Sequence, residues 1–323
     1  MDKYTQLIAK GLSKLKRNPV DFCRTTHKFF SSILNKHLSR RLIWQEHVPR
    51  TMREVHVDVV SGCQLRCLGC PNSTMEKQIK HTPVGDFSRY LNNIDIAHIK
   101  LLRLYNFGEP VLHPELADIV KEIPKQSWKV DKVEISTNGQ YLDEKMIQKV
   151  FSTDVINTFF VSCDGDGTAS EYERLRPPAK WSMLLDFLKV VKEIRDSCAP
   201  DIALLTRTCC TDKESRNRWI DLLRPLGWEP EFRTYDIFPQ SVKNLLGRNP
   251  VVPEEPCLFL EAGRLYVDWD GTVVPCCAHP KAFELGNLGK QKYSEIFEGK
   301  KRKSFLQVLR NRKKVAVCNE CEF

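Results

Sequence analysis

Six short strand-like runs recur along the chain, the first of them apolar and β-branched, and each ends in small or polar residues. Residues 55–60 form the first. Residues 101–105 lead into Asn106-Phe107-Gly108-Glu109-Pro110, residues 132–136 into Thr137-Asn138-Gly139, and residues 158–162 into Cys163-Asp164-Gly165. Residues 202–208 lead into Cys209-Cys210, and residues 231–235 into Asp236. Runs of this length and composition predict buried strands. Between them the apolar period lengthens to that of an amphipathic helix. Residues 87–99 carry Phe87, Leu91, Ile94 and Ile99, and residues 114–123 carry Leu116, Ile119, Val120 and Ile123. Residues 181–194 and 213–226 repeat the pattern, with Met183, Leu184, Phe187, Leu188, Val191 and Ile194 in one and Trp219, Leu222, Leu223 and Leu226 in the other. Alternating strands and helices predict a parallel α/β sheet.

The pattern changes after Asp236. Residues 238–255 hold Pro239, Gly247, Pro250 and Pro253 and read as a linker. Residues 264–268 and 272–275 flank Trp269-Asp270-Gly271, and Asp-Gly between two β-like runs predicts a hairpin. Helices are expected near residues 294–298 and 303–311. At the other end, residues 4–15 and 20–43 are helical in pattern, with Phe30, Ile33, Leu34, Leu38 and Leu42 on one side. Arg24, Lys28, Lys36, Arg40 and Arg41 add charge there. Such a helix either lies on an anionic membrane surface or docks its apolar stripe on the body.

Charge sharpens this division. The 323 residues carry a net +9, but residues 1–50 hold 11 Lys/Arg against 3 Asp/Glu, and residues 290–314 hold 10 against 2. The remainder is therefore acidic, at −7. The two basic ends suit an anionic surface or a phosphorylated substrate, or form solvated helix faces. No nucleic-acid partner is expected. No apolar run reaches membrane-spanning length, and no secretion signal is evident. Thirteen cysteines without such a signal point to reduced thiols and a cytoplasmic location rather than a disulfide framework.

Three of those cysteines, Cys63, Cys67 and Cys70, form a CxxxCxxC loop directly after the first predicted strand. Iron–sulfur cubanes usually take four thiolates. Three leave one iron open for chemistry, whereas a structural zinc takes four ligands in two pairs. Functional groups of α/β barrels collect at the carboxyl ends of strands, which is where this loop falls. On these residues the chain resembles the radical S-adenosylmethionine (SAM) enzymes. The resemblance implies that Cys63, Cys67 and Cys70 hold a [4Fe-4S] cluster and that SAM chelates the open iron. It also implies reductive SAM cleavage, with an electron donor such as flavodoxin or ferredoxin. The fold implied is α/β: a partial (β/α)6 barrel of the radical SAM type, with a small C-terminal cluster-binding domain of β-hairpin plus helices.

The same resemblance assigns the loops. Gly108, Glu109 and Pro110 match the element that binds the SAM amino group. Ser136, Asn138, Ser162 and Asp164 match positions facing the SAM ribose or carboxylate, although each also suits a turn or cap. Arg176, ahead of Arg174, matches an arginine on the SAM carboxylate, where a bidentate pair is favourable. Cys209 and Cys210 end the fifth strand. One of them faces the interior by alternation, where a thiol returns a hydrogen atom to the substrate in epimerases of this family.

Cys257, Cys276, Cys318 and Cys321 form a second constellation, with Cys277 an alternative to Cys276. With Asp270-Gly271 and Leu285-Gly286-Asn287-Leu288 it resembles the SPASM and Twitch extensions, implying one auxiliary [4Fe-4S] cluster. A four-cysteine zinc site is the other reading. The expected organisation is a basic, mostly helical extension at 1–50, the radical SAM barrel at 51–240 and the auxiliary cluster domain at 241–323. The expected function is oxidation of a hydroxyl-bearing small molecule of carbohydrate or aminocyclitol type. Epimerisation, modification of a ribosomal peptide, and a non-catalytic iron–sulfur or zinc module are the alternatives. Arg233, Tyr235 and Asp236 are further candidate substrate contacts.

Overall fold

The computed structural model describes residues 47–323, apart from residues 76–77, 255–256, 258–259, 261–262 and 280–281. The helices expected at residues 4–15 and 20–43 lie outside the described residues, as does the basic stripe they carry. Six strands form the core: β1 (Glu54–Val57), β2 (His98–Arg103), β3 (Lys129–Thr137), β4 (Thr158–Asp164), β5 (Ala203–Cys209) and β6 (Glu229–Arg233). They pair in that order, all parallel. Connections between parallel strands need a crossover. Helices supply it: α1 (Val84–Asn92), α2 (Leu116–Lys121), α3 (Glu144–Phe151), α4 (Ala169–Leu175), α5 (Trp181–Cys198) and α6 (Lys213–Leu223).

The helices bury one face each. Phe151 of α3 meets Phe159 of β4 edge-on with 5.2 Å between centroids, and Phe159 stacks on Phe187 of α5 at 6.5 Å. Trp219 of α6 is fully buried and donates its indole N–H to the Gly165 carbonyl at 3.0 Å. That bond ties the helix to the loop leaving β4. Asp143 and Asp212 cap α3 and α6 by accepting from Met146 and Ser215 at 3.0 and 2.8 Å.

The sheet does not stop at β1. The C-terminal hairpin, β7 (Arg264–Val267) and β8 (Thr272–Val274), adds β7 parallel to β1, with β9 (Gly286–Asn287) beyond β8. An open barrel leaves β1 as an exposed edge, and the hairpin covers it. Gly271 closes the hairpin at φ +81°, in the left-handed region where glycine carries no Cβ strain. Two helices follow, α7 (Tyr293–Phe297) and α8 (Lys300–Leu309).

Three expectations change. The strand expected over 55–60 ends at Val57, and Val60–Ser61 pairs instead with Lys80–His81. The helix expected to residue 99 ends at Asn92, because His98 and Ile99 pair with Lys129 and Val130 as part of β2. Helices α3 and α4 were not expected, although the Asp143 cap and the buried Met146, Ile147, Val150 and Phe151 form a helical stripe.

Candidate active site

A cavity of about 460 Å³ opens at the carboxyl ends of the strands. It is of the size usual for small-molecule sites, about 300–1,000 Å³. Cys63, Cys67 and Cys70 all line it. Their loop is pinned from two sides: the Arg66 and Leu68 N–H groups donate to Pro177 and Leu175 at 2.6 and 2.9 Å, and Lys243 N–H donates to Leu68 at 2.8 Å. Burial pushes the Cys63 and Cys70 thiols up to about 12. Burial raises Cys67 too, while the Arg176 charge pulls it back. Three clustered, desolvated thiols at a cavity wall ionise readily only against a metal centre. That donor set fits a three-thiolate cluster.

The neighbouring loop is built around Asp58. Its carboxylate accepts three successive backbone N–H groups, from Asn106, Phe107 and Gly108, at 2.7, 2.9 and 3.2 Å. Burial raises its pKa to about 6 in spite of those bonds. Gly108 passes so close to β1's extension that a Cβ would lie 1.7 Å from the Val60 carbonyl oxygen. Glu109 is buried, lines the cavity, and accepts from the Asn138 N–H at 2.7 Å, joining the loops after β2 and β3. Burial raises its pKa to about 7. Pro110 does not line the cavity; it begins a short 3₁₀ turn, Pro110–Leu112.

Ser136, Asn138, Ser162, Asp164 and Arg176 all line the cavity. Asn138 is turned toward the cysteine loop. Its amide pairs with that of Gln64 at 3.1 and 3.2 Å and reaches the Cys63 sulfur at 3.4 Å. Arg176 is buried and ion-paired with Asp164. Arg174 is on the surface, with both Nε and Nη2 on Glu171 at 2.7 Å. Cys209 lines the cavity; Cys210 is buried outside it, beside Arg216. Thr234, Tyr235 and Asp236 line it, whereas Arg233 turns away onto Glu231.

Deeper in the barrel is a polar layer that sequence reading did not pick out. Tyr266, His56, Arg103 and Glu134 stand in register on four adjacent strands, β7, β1, β2 and β3. Glu134 accepts from Arg103 Nε at 2.9 Å, from Tyr105 hydroxyl at 3.2 Å and from Arg207 Nη2 at 3.2 Å. The signal was available: opposite charges recur at inward positions of otherwise apolar runs.

In the C-terminal constellation, Cys257 lies within electrostatic reach of Cys276, Cys318 and Cys321. Burial raises Cys318 to about 11. Cys277 points elsewhere: it lines the main cavity and contacts Tyr266. The two neighbouring thiols thus face two different sites.

Parallel strands thus deliver three thiols and a glycine-glutamate turn to one cavity. Accordingly, the chain belongs to the radical SAM superfamily, whose family profile matches residues 57–233. Residues 257–322 match SPASM, an iron–sulfur cluster-binding domain. The protein is therefore a radical SAM enzyme that binds SAM, a [4Fe-4S] cluster and auxiliary iron–sulfur chemistry. Among curated proteins it is similar to the GTP 3',8-cyclase of Chlorobaculum tepidum, 29% identical over 113 residues, which are 35% of this chain and 34% of that one. It is also similar to the tungsten-containing aldehyde ferredoxin oxidoreductase cofactor-modifying protein of Pyrococcus furiosus, 27% identical over 117 residues, 33% and 32% of the two chains. The chain thus matches only about a third of the length of these relatives. Among solved structures it shares its fold with three. BtrN in complex with AdoMet and 2-DOIA has a TM-score of 0.50 at 20% identity, covering 84% of this chain and 93% of that one. Native anSMEcpe with bound AdoMet gives 0.57 at 17%, covering 83% and 88%. Streptococcus suis SuiB bound to the precursor peptide SuiA gives 0.60 at 14%, covering 94% and 75%. Among the described residues no helix is long and apolar enough to cross a membrane.

Proposed function

We propose that the protein is a dehydrogenase-type oxidoreductase acting on a hydroxyl-bearing small molecule of carbohydrate or aminocyclitol type. The observation that carries this reading is the divergence of Cys276 and Cys277. One thiol lies near Cys257, and the next lines the main cavity. When bound, the cofactors supply a deoxyadenosyl radical for hydrogen abstraction and, at the C-terminal cysteines, an acceptor for the electron left on the substrate.

The chain's own residues supply the rest. Cys63, Cys67 and Cys70 are the ligands we assign to the SAM-binding cluster, and Cys257, Cys276, Cys318 and Cys321 those of one auxiliary cluster. Asp58 and Glu109 hold the loops after β2 and β3 against the cysteine loop. Arg176, set by Asp164, is the cation we assign to the SAM carboxylate. Asp236 lines the cavity with a pKa raised by burial, which suits a carboxylate that takes up the hydroxyl proton. The fold shared with the BtrN complex with AdoMet and 2-DOIA sits with this reading. An electron donor such as flavodoxin or ferredoxin belongs to it.

Epimerisation is the second reading, favoured by the Cys209 thiol in the cavity wall. Turnover in deuterated water separates the two. Oxidation gives a carbonyl without solvent deuterium on that carbon. Deuterium on an inverted carbon, lost in Cys209→Ala, would replace oxidation with epimerisation.

A further inference from the structure

The geometry points to an anion-recognition wall deep in the cavity, built by Arg103 and Arg207, which takes a carboxylate or phosphate group of the substrate. Both arginines line the cavity, and neither Glu54 nor Glu134, their ion-pair partners, does. The carboxylates stand behind and the guanidinium groups face the space. Arg207 is held flat. Its guanidinium carbon lies 4.0 Å from the centre of the Phe160 ring, and Nη1 bonds the Tyr105 hydroxyl while Nη2 bonds Glu134. Arg103 spends Nε on Glu134 at 2.9 Å and Nη1 on Glu54 at 3.1 Å. A guanidinium offers five N–H donors. The network uses two nitrogens of each, so both keep donors for a ligand. A planar, immobilised fork matches the oxygens of a carboxylate or phosphate and loses little entropy on binding.

The wall is also in the right place. Arg103 lies one pleat deeper than Tyr105, in the His56 layer, and Arg207 pairs in register with Ser162. The cysteine loop and Arg176 belong to the strand ends above. A substrate gripped by Arg103 and Arg207 would present its far side toward those ends. This inference rests on the proposed oxidation for the reaction and narrows its substrate to a carbohydrate-type molecule bearing a carboxylate or phosphate, in place of an unmodified aminocyclitol; the wall itself needs no turnover.

The test is equilibrium binding to the anaerobically reconstituted, SAM-loaded protein, with inorganic phosphate, acetate and neutral glycerol as probes, by calorimetry at fixed ionic strength. Wild type should saturate with phosphate or acetate and show no binding of glycerol. Arg207→Ala and Arg103→Ala should each weaken the anion by about 10- to 100-fold, the range for a lost charge-assisted hydrogen bond. Arg207→Lys, which keeps the charge and loses the fork, should fall between and retain the wild-type melting temperature. Preference for phosphate assigns a phosphate monoester, and preference for acetate a carboxylate. Absence of saturable anion binding in wild type, or unchanged affinity in both Ala variants, overturns the proposal. A failure of the oxidation reading in the deuterium experiment leaves these binding results untouched.

Discussion

Asp58→Asn should separate what holds this fold together from what shapes its site. The Asp58 carboxylate is buried and accepts three backbone N–H groups from the Asn106-Phe107-Gly108 turn. Desolvation outweighs those bonds and raises its pKa from 3.8 to about 6. Because the folded pKa lies above the unfolded one, the acid's contribution is fully present below about pH 4 and is lost as pH rises through about 6. Two pH units correspond to about 3 kcal/mol in all, of which somewhat under half falls between pH 5 and 7. Asn resembles the neutral acid: it keeps one acceptor oxygen and never ionises. The variant should therefore be at least as stable as wild type at pH 7, by up to about 3 kcal/mol, with an advantage about 1 kcal/mol smaller at pH 5. The turn is expected to loosen all the same, because the amide NH₂ faces one of the three N–H groups, and SAM affinity should fall about tenfold or more. Urea unfolding at the two pH values, followed by tryptophan fluorescence, gives the first result and equilibrium dialysis with SAM the second. An Asn variant at least 1 kcal/mol less stable than wild type at pH 7 (about the size of one hydrogen bond) would refute the view that this charge is kept at a cost to stability.

Gly108→Ala places a Cβ 1.7 Å from the Val60 carbonyl oxygen, so the turn must move; loss of measurable SAM binding is expected by dialysis. Cys276→Ala should lower the iron content by about four per chain, from about eight, while Cys277→Ala keeps all of it, as read by iron analysis after reconstitution. Arg176→Ala should weaken SAM binding by about tenfold or more, whereas Arg174→Ala, on an exposed pair with Glu171, should leave it unchanged.

Much of this architecture was legible because it rests on local patterns. The six core strands fall within a few residues of the strand-like runs that stop at polar clusters, and the hairpin falls where Asp270-Gly271 separates two β-like runs. The cysteine loop was legible by spacing alone. What stayed hidden depends on contacts distant in sequence. Nothing in residues 264–267 announces that they pair with residues 54–57, since a strand's partner is chosen by the free edge it meets. The Gly271–Cys276 spacing favours Cys276 over Cys277 only through the family resemblance, and no spacing distinguishes Cys209 from Cys210; adjacent residues on an extended backbone face opposite ways, and only packing decides which way is inward. Asp58 was the most readable omission. A lone carboxylate inside an apolar run is costly to bury, and here the cost is met by the loop it organises.

The edge pairing also bears on how the two metal-binding regions relate. Because β7 extends the barrel sheet directly beside β1, the hairpin that ends in Pro275-Cys276-Cys277 is positioned by backbone hydrogen bonds to the barrel itself rather than by a linker. Register fixes Tyr266 opposite His56, and their rings lie 4.8 Å apart. Tyr266 in turn contacts Cys277, which lines the cavity. A continuous path of packed side chains therefore joins the barrel interior to the residue next to Cys276. Sheet register tolerates no gradual slip, because a one-residue shift reverses every side chain. Cys276 is thus positioned relative to the cavity by the same ladder that closes the open edge of the barrel, which suits the electron-accepting role proposed for the site it belongs to.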